Sequence, residues 1–211
     1  YRLDHRGRLY DMVRDPGQRR DVSTAQPHMA SRLRSAVAEW KQQMLPGLEH
    51  PDRPFPLGDA VYRYTQLPAR DAVTTGGIRR SNRYPNCSYF TNWTTADDRI
   101  RWDVEVRQAG AYHVDVYYSC PTADVGSTIE LRHGENLLAG RVAPAHDPGL
   151  RGAEHDRVER TESYVKDFRA LRLGKITSQK GRGPLTLRAT AIPGTQVMDF
   201  RLLMFTRVED Q

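Results

Sequence analysis

The chain has 211 residues, with 32 Lys and Arg against 26 Asp and Glu and a formal net charge of +6, a length that suits one medium domain or one domain with a smaller piece. No run of roughly 18 apolar residues occurs, which excludes a helical membrane span. The basic surplus is shared evenly: nine Lys and Arg to six Asp and Glu in residues 1–50, and 23 to 20 in residues 51–211, so no stripe for nucleic acid is expected.

From the N-terminus, residues 1–15 read as a hairpin or bent strand, broken at His5-Arg6-Gly7 and closed by the turn Asp15-Pro16-Gly17. A helix is expected over Pro27–Met44. Met29, Leu33, Val37, Trp40 and Met44 recur at spacings of three and four, and Pro27 suits a first turn, where its missing N–H breaks no bond. This stripe is expected to be buried. The start at Tyr1, without Met or signal peptide, reads as a fragment of something longer.

Residues 46–58 hold Pro46, Pro51, Pro54 and Pro56, a composition expected to exclude ladder pairing and to form a linker. A second domain is expected over residues 59–211. Val61, Tyr62 and Tyr64 suggest its first strand. Residues 81–95 are aromatic and polar without periodicity. Then Ile100, Trp102, Val104 and Val106 alternate with Arg101, Asp103 and Glu105, and Tyr112, Val114, Val116 and Tyr118 repeat the pattern after a Gly110 break. Short strands joined by Gly-containing turns favour antiparallel hairpins. Further strands are expected over residues 127–132, 168–173, 185–189 and 198–204, with a long charged loop over residues 140–163 and a turn at Gly181-Arg182-Gly183-Pro184. Seven or eight short strands in about 150 residues indicate an antiparallel β-sandwich. Trp102, on the apolar face, belongs to the core.

Cys87 and Cys120 admit one bridge, and a disulfide or two free thiols both fit. Asn86-Cys87-Ser88 and Asn92-Trp93-Thr94 match the glycosylation pattern. Sugars present flat apolar faces ringed by hydroxyls, so their sites pair exposed aromatics with planar polar side chains. Asn82, Arg83, Tyr84, Tyr89, Asn92 and Trp93 have that composition and are the candidate carbohydrate site; the alternative is that Trp93 and Phe90 plug an end of the core. No metal-ligand spacing is found. Asp97-Asp98 could contribute to a calcium site or form a turn, and His146, Asp147, Glu154, His155 and Asp156 fit no zinc pattern.

The run Leu9-Tyr10-Asp11, Asp15-Pro16-Gly17, a helix opening at Pro27 and Trp40 near its end resembles the C-terminal end of a sulfatase catalytic domain of the arylsulfatase or N-acetylgalactosamine-6-sulfatase kind. The resemblance covers residues 1–45 and departs at Asp21-Val22-Ser23, where the family usually has Asn-Leu-Ala. It implies an upstream catalytic domain with calcium and a formylglycine made in a C-x-P-x-R motif. Here Cys120 is followed by Pro121-Thr122-Ala123-Asp124 and Cys87 by Ser88-Tyr89-Phe90-Thr91; neither fits, so this chain is expected to have no sulfatase activity and to hold no cofactor.

Asn92-Trp93, residues 100–106, Gly110-Ala111-Tyr112-His113-Val114, Tyr118-Ser119-Cys120-Pro121, Gly126-Ser127, Leu173-Gly174 and residues 194–202 resemble the jelly-roll modules appended to secreted fucosidases and sulfatases, similar to carbohydrate-binding modules. That implies a mainly β jelly-roll sandwich in a secreted or periplasmic protein, which binds glycan and brings a sulfatase to sulfated polysaccharide, or else a structural or assembly module that binds no sugar.

Overall fold

In the computed structural model, which describes residues 1–48, 53–162 and 164–208, the chain divides into two units, Tyr1–Arg53 and Pro54–Gln211. In the first, β1 (Arg2–Leu3) pairs antiparallel with β2 (Leu9–Tyr10), and α1 runs over Pro27–Met44. Aspartates hold its turns. Asp4 accepts the N–H groups of Arg6 and Arg8 at 2.9 Å each, and Asp21 those of Leu9 at 3.0 Å and Ser23 at 2.8 Å. Leu9, Tyr10 and Ala30 are buried. The expected burial of the α1 stripe is not met: Met29 and Leu33 are half-buried, while Val37 (42% exposed), Trp40 (58%) and Met44 (47%) face solvent. An 18-residue helix is about 27 Å long, and strands of two residues cover only its first turns.

The second unit contains β3 (Phe55–Leu57), β4 (Tyr64–Pro68), β5 (Val73–Thr75), β6 (Arg79–Arg80), β7 (Phe90–Thr91), β8 (Arg99–Val106), β9 (Gly110–Ser119), β10 (Thr128–His133), β11 (Asn136–Arg141), β12 (Leu150–Arg151), β13 (Val165–Lys166), β14 (Arg169–Ser178), β15 (Gly181–Ala191) and β16 (Asp199–Arg207). One sheet has the order β11-β10-β15-β8-β3, with β5 also on β8; the other is β14-β9-β16-β7-β6, with β4 also on β16. The chain crosses between sheets from β8 to β9, from β9 to β10, from β14 to β15 and from β15 to β16. The result is a mainly β, antiparallel jelly-roll sandwich, with a parallel pairing of β3 on β8. Alternation builds the core. Ile100, Trp102, Val104 and Val106 of β8 face Tyr112, Val114, Val116 and Tyr118 of β9 across the interior, all at most 2% exposed. Trp102 is core, as expected, and its indole N–H donates to Pro68 O at 3.2 Å.

Several local expectations are corrected. Phe55–Leu57, expected to be unpaired linker, forms an edge strand, where Pro56 is tolerated because one side needs no donor; residues 49–52 of that linker lie outside the described residues. Val61 and Tyr62, expected in a strand, are exposed in a turn whose N–H groups Asp59 accepts at 2.7 and 3.1 Å, and the strand begins at Tyr64. Gly181-Arg182-Gly183-Pro184, expected to be a turn, is the start of β15. Pro184 pairs with Asp103 of β8 at a level where the β10 ladder has already ended, so its missing N–H costs no bond. Within the expected loop of residues 140–163, of which Ser163 lies outside the described residues, Val142 is buried and Leu150–Arg151 pairs with Val165–Lys166. Cys87 and Cys120 are both free thiols, and burial pushes Cys120 up to about 11, which disfavours its thiolate.

Candidate functional site: a loop rim at one end of the second sheet

The stretch between β6 and β7, residues 81–89, is shaped by its own side chains. Ser81 Oγ accepts the Tyr89 N–H at 3.2 Å, Asn82 Oδ1 accepts the Tyr84 N–H at 2.9 Å, and Ser88 Oγ donates to Pro85 O at 2.8 Å. Asn82 Nδ2 donates to Thr161 O at 2.9 Å, which ties this loop to the stretch preceding β13. On its surface the exposed Arg83 guanidinium lies 4.6 Å from the centroid of the half-buried Tyr84 ring and donates to its hydroxyl. The pair forms a flat aromatic and planar polar surface.

Tyr89 meets Phe168 edge to face, with centroids 5.3 Å apart, and Lys166 Nζ lies 5.6 Å from its ring. Lys166, whose side chain is 9% exposed, bridges Asp199 at 2.8 Å and Asp147 at 3.4 Å. Burial works against its charge, yet the hydrogen bond and charge of Asp199 outweigh it and hold the ammonium above its ordinary range. Burial, helped by Asp199, pushes the Tyr89 phenol up. The tether is therefore charged and the phenol neutral at physiological pH. Sequence reasoning found Tyr89 but missed Lys166 and Phe168, because no local pattern pairs residues almost 80 positions apart.

Of the six candidate residues, Asn82, Arg83, Tyr84 and Tyr89 stand on the rim, Asn92 is half-buried beside Gly77, and Trp93 is corrected. Asn92 adopts φ +58 and donates to Gly77 O at 2.6 Å. Trp93 is fully buried, its carbonyl accepting the Val197 N–H at 2.8 Å, so it has no free face for a sugar. Phe90 is also core, stacked on Phe200 at 6.4 Å. The periodicity-free segment concealed this because its aromatics divide between rim and core without an alternating register. Asn86 is exposed, whereas Ser88 of the same glycosylation triplet is fully buried.

Asp98 closes a turn with its carboxylate. Asp98 is 1% exposed, and its carboxylate accepts N–H groups from Gly77 at 2.8 Å, Thr95 at 3.1 Å and Thr94 at 3.3 Å. The long-stretch residues are engaged elsewhere: Asp156 with Arg160 at 2.5 and 2.9 Å, and His146 Nε2 3.0 Å from Asp167 O. Among the described residues no group of three or more His, Cys, Asp and Glu is placed to hold a metal ion.

The architecture is thus that of a jelly-roll β-sandwich with a loop-built rim. No protein-family model matches the sequence, and no curated protein matches it. Among solved structures, the chain is similar to a Podospora anserina GH26-CBM35 β-(1,4)-mannanase, with 12% identity and a TM-score of 0.47 over 70% of this chain and 28% of that one. It is also similar to the carbohydrate-binding module CBM6cm-2 of Cellvibrio mixtus lichenase 5A in complex with cellotriose (9% identity, TM-score 0.47, 69% of this chain and 98% of that one). A Bacillus thuringiensis Cry1Da tryptic core variant gives 13% identity and a TM-score of 0.49 over 74% of this chain and 25% of that one.

Proposed function

We propose that the second unit is a non-catalytic carbohydrate-binding module whose glycan sits on the rim formed by Asn82, Arg83, Tyr84 and Tyr89. The observation that carries this reading is the Arg83–Tyr84 pair, 4.6 Å from guanidinium to ring centroid, on a loop fixed by its own hydrogen bonds. A pre-shaped aromatic face beside planar donors suits a pyranose ring, because binding loses little loop entropy. In the finer form of the reading, the module serves a secreted or periplasmic sulfatase-like parent and brings it to sulfated polysaccharide. Support for that comes from the resemblance of residues 1–45, whose hairpin, Leu9-Tyr10-Asp11 turn and helix follow the order of that family's last elements. A glycan array probed with the full chain tests the proposal: selective binding to a glycan class, weakened by Tyr84→Ala, is expected, and uniform background across the array contradicts it.

A second reading, a structural or assembly module, is favoured by one observation. Val37, Trp40 and Met44 of α1 are exposed together, and in a sulfatase-like parent the upstream catalytic sheet would cover them.

A further inference from the structure

Charge that is dispersed along the sequence converges on the outer face of the first sheet. On β8 the inward alternation of Ile100, Trp102, Val104 and Val106 turns Arg99 and Arg101 outward, and on β15 the burial of Leu185, Leu187 and Ala189 turns Thr186 and Arg188 outward. On β10, between buried Ile129 and Leu131, Glu130 points the same way, followed by Arg132. The register sets these in two rows: Arg99, Arg188 and Glu130 across one, Arg101, Thr186 and Arg132 across the next. Segment-by-segment counting does not see such a patch, since each arginine is flanked in sequence by core residues.

The face is built as a groove. Arg99, Glu130, Arg132, Thr186 and Arg188 line a cavity of about 240 Å³. It adjoins another of about 600 Å³ that shares Arg132 and Thr186 and continues between the two hairpin tips past Lys180 and Arg182. Both are in or near the size range of ligand pockets, roughly 300–1,000 Å³. Arg188 is oriented by Glu130 at 2.7 and 2.9 Å, and Arg182 by Asp103 at 2.5 and 2.9 Å. Arg99 Nη1 is held by the carbonyls of Ala96 at 2.5 Å and Asp98 at 3.0 Å. Among the described residues Arg101 and Arg132 have neither a hydrogen bond nor an ion pair. They flank Thr186 two strand spacings apart, roughly 10 Å at the backbone. Arg99 sits directly opposite Arg188, an arrangement of like charges that weakens a sheet unless an anion is shared between them.

We infer that this groove binds an anionic polysaccharide, seating its sulfate or carboxylate groups on Arg99, Arg101, Arg132 and Arg188. The inference rests on the glycan-binding reading of the sandwich and adds to it the charge of the ligand and a surface on the other sheet from the rim. Guanidinium groups match such anions with paired hydrogen bonds. Glu130 is paired with Arg188, so it does not stand as a free carboxylate repelling an anionic chain. The groove lining also carries no Phe, Tyr or Trp on which bases could stack.

Affinity electrophoresis of the full chain tests this, in gels cast with dextran sulfate, polygalacturonate or uncharged dextran and referred to a polymer-free gel. Retardation by a charged polymer is expected, the sulfate or the carboxylate polymer according to which anion the groove takes. Affinity should fall by about tenfold in the double variant Arg101→Ser, Arg132→Ser, vanish at high salt, and survive Tyr84→Ala. Circular dichroism establishes that the variant is folded, and Arg132→Gln alone repeats the comparison if it is not. No retardation of the wild-type chain by either charged polymer, unchanged affinity in the folded variant, or equal retardation by a DNA duplex would each overturn the groove. Loss of array binding in Tyr84→Ala bears on the rim alone, so the two proposals fail separately.

Discussion

Three backbone N–H groups converge on the buried Asp98 carboxyl, and the neighbouring Gly76 is fitted to the same spot. Its φ is +77, and a Cβ there would lie 1.8 Å from Asp98 Oδ1. Asp98→Ala leaves those N–H groups unpaired in a dry site, and the expected loss is about 3 kcal/mol of unfolding free energy in urea titrations; a change below about 1 kcal/mol would show that water replaces the carboxylate. Asp124 has the corresponding role at the turn before β16. Burial alone would raise its pKa, but the Thr195 N–H at 2.7 Å and hydroxyl at 2.9 Å, with Gln196, outweigh burial and lower it. A carboxyl depressed on folding contributes stability above its unfolded pKa of about 3.9 and loses it as pH falls through the folded value. The wild-type chain should therefore lose stability more steeply below about pH 4 than Asp124→Asn, as measured by melting temperature against pH; parallel curves would contradict the assignment.

At the level of elements, the structure separates what periodicity can reveal from what it cannot. β8, β9 and α1 were legible because one face of each alternates or repeats with apolar residues over many positions. β11 was missed because its alternation is weak: in Asn136-Leu137-Leu138-Ala139-Gly140-Arg141 only Leu138 and Gly140 turn inward, neither fully buried, while Leu137 and Ala139 are exposed. The start of β15 was misread because Gly-Arg-Gly-Pro has turn chemistry, and only its position beyond the end of β10 makes it a tolerable strand. In the site, the composition of residues 81–95 pointed to the rim, but which aromatics turn inward depends on contacts with residues more than 70 positions away. The α1 stripe shows the converse error, a helix pattern without enough partner to cover it. Leu9→Ala, in the small core under β2, should cost about 2–5 kcal/mol, whereas Trp40→Ala should change the stability of this chain by less than about 0.5 kcal/mol. Hydrogen exchange of the first unit's amides distinguishes them; a large effect of Trp40→Ala would mean that the stripe is covered in solution.

On the scale of the whole molecule, the second unit supplies a two-sheet scaffold that carries the two proposed glycan surfaces, an aromatic rim at the second sheet and an arginine groove on the first. No helix among the described residues is long and apolar enough to cross a membrane. The first unit is held by aspartate-capped turns and a minimal core of Leu9, Tyr10 and Ala30. Titration calorimetry of the full chain with the best glycan from an array measures whether the rim binds glycan. Saturable binding is expected, weakened about tenfold by Tyr84→Ala, the loss of one aromatic platform worth about 1.4 kcal/mol, while substitution of the buried Trp93 affects only stability. Binding that is unchanged in a folded Tyr84→Ala, Tyr89→Ala double variant would contradict it.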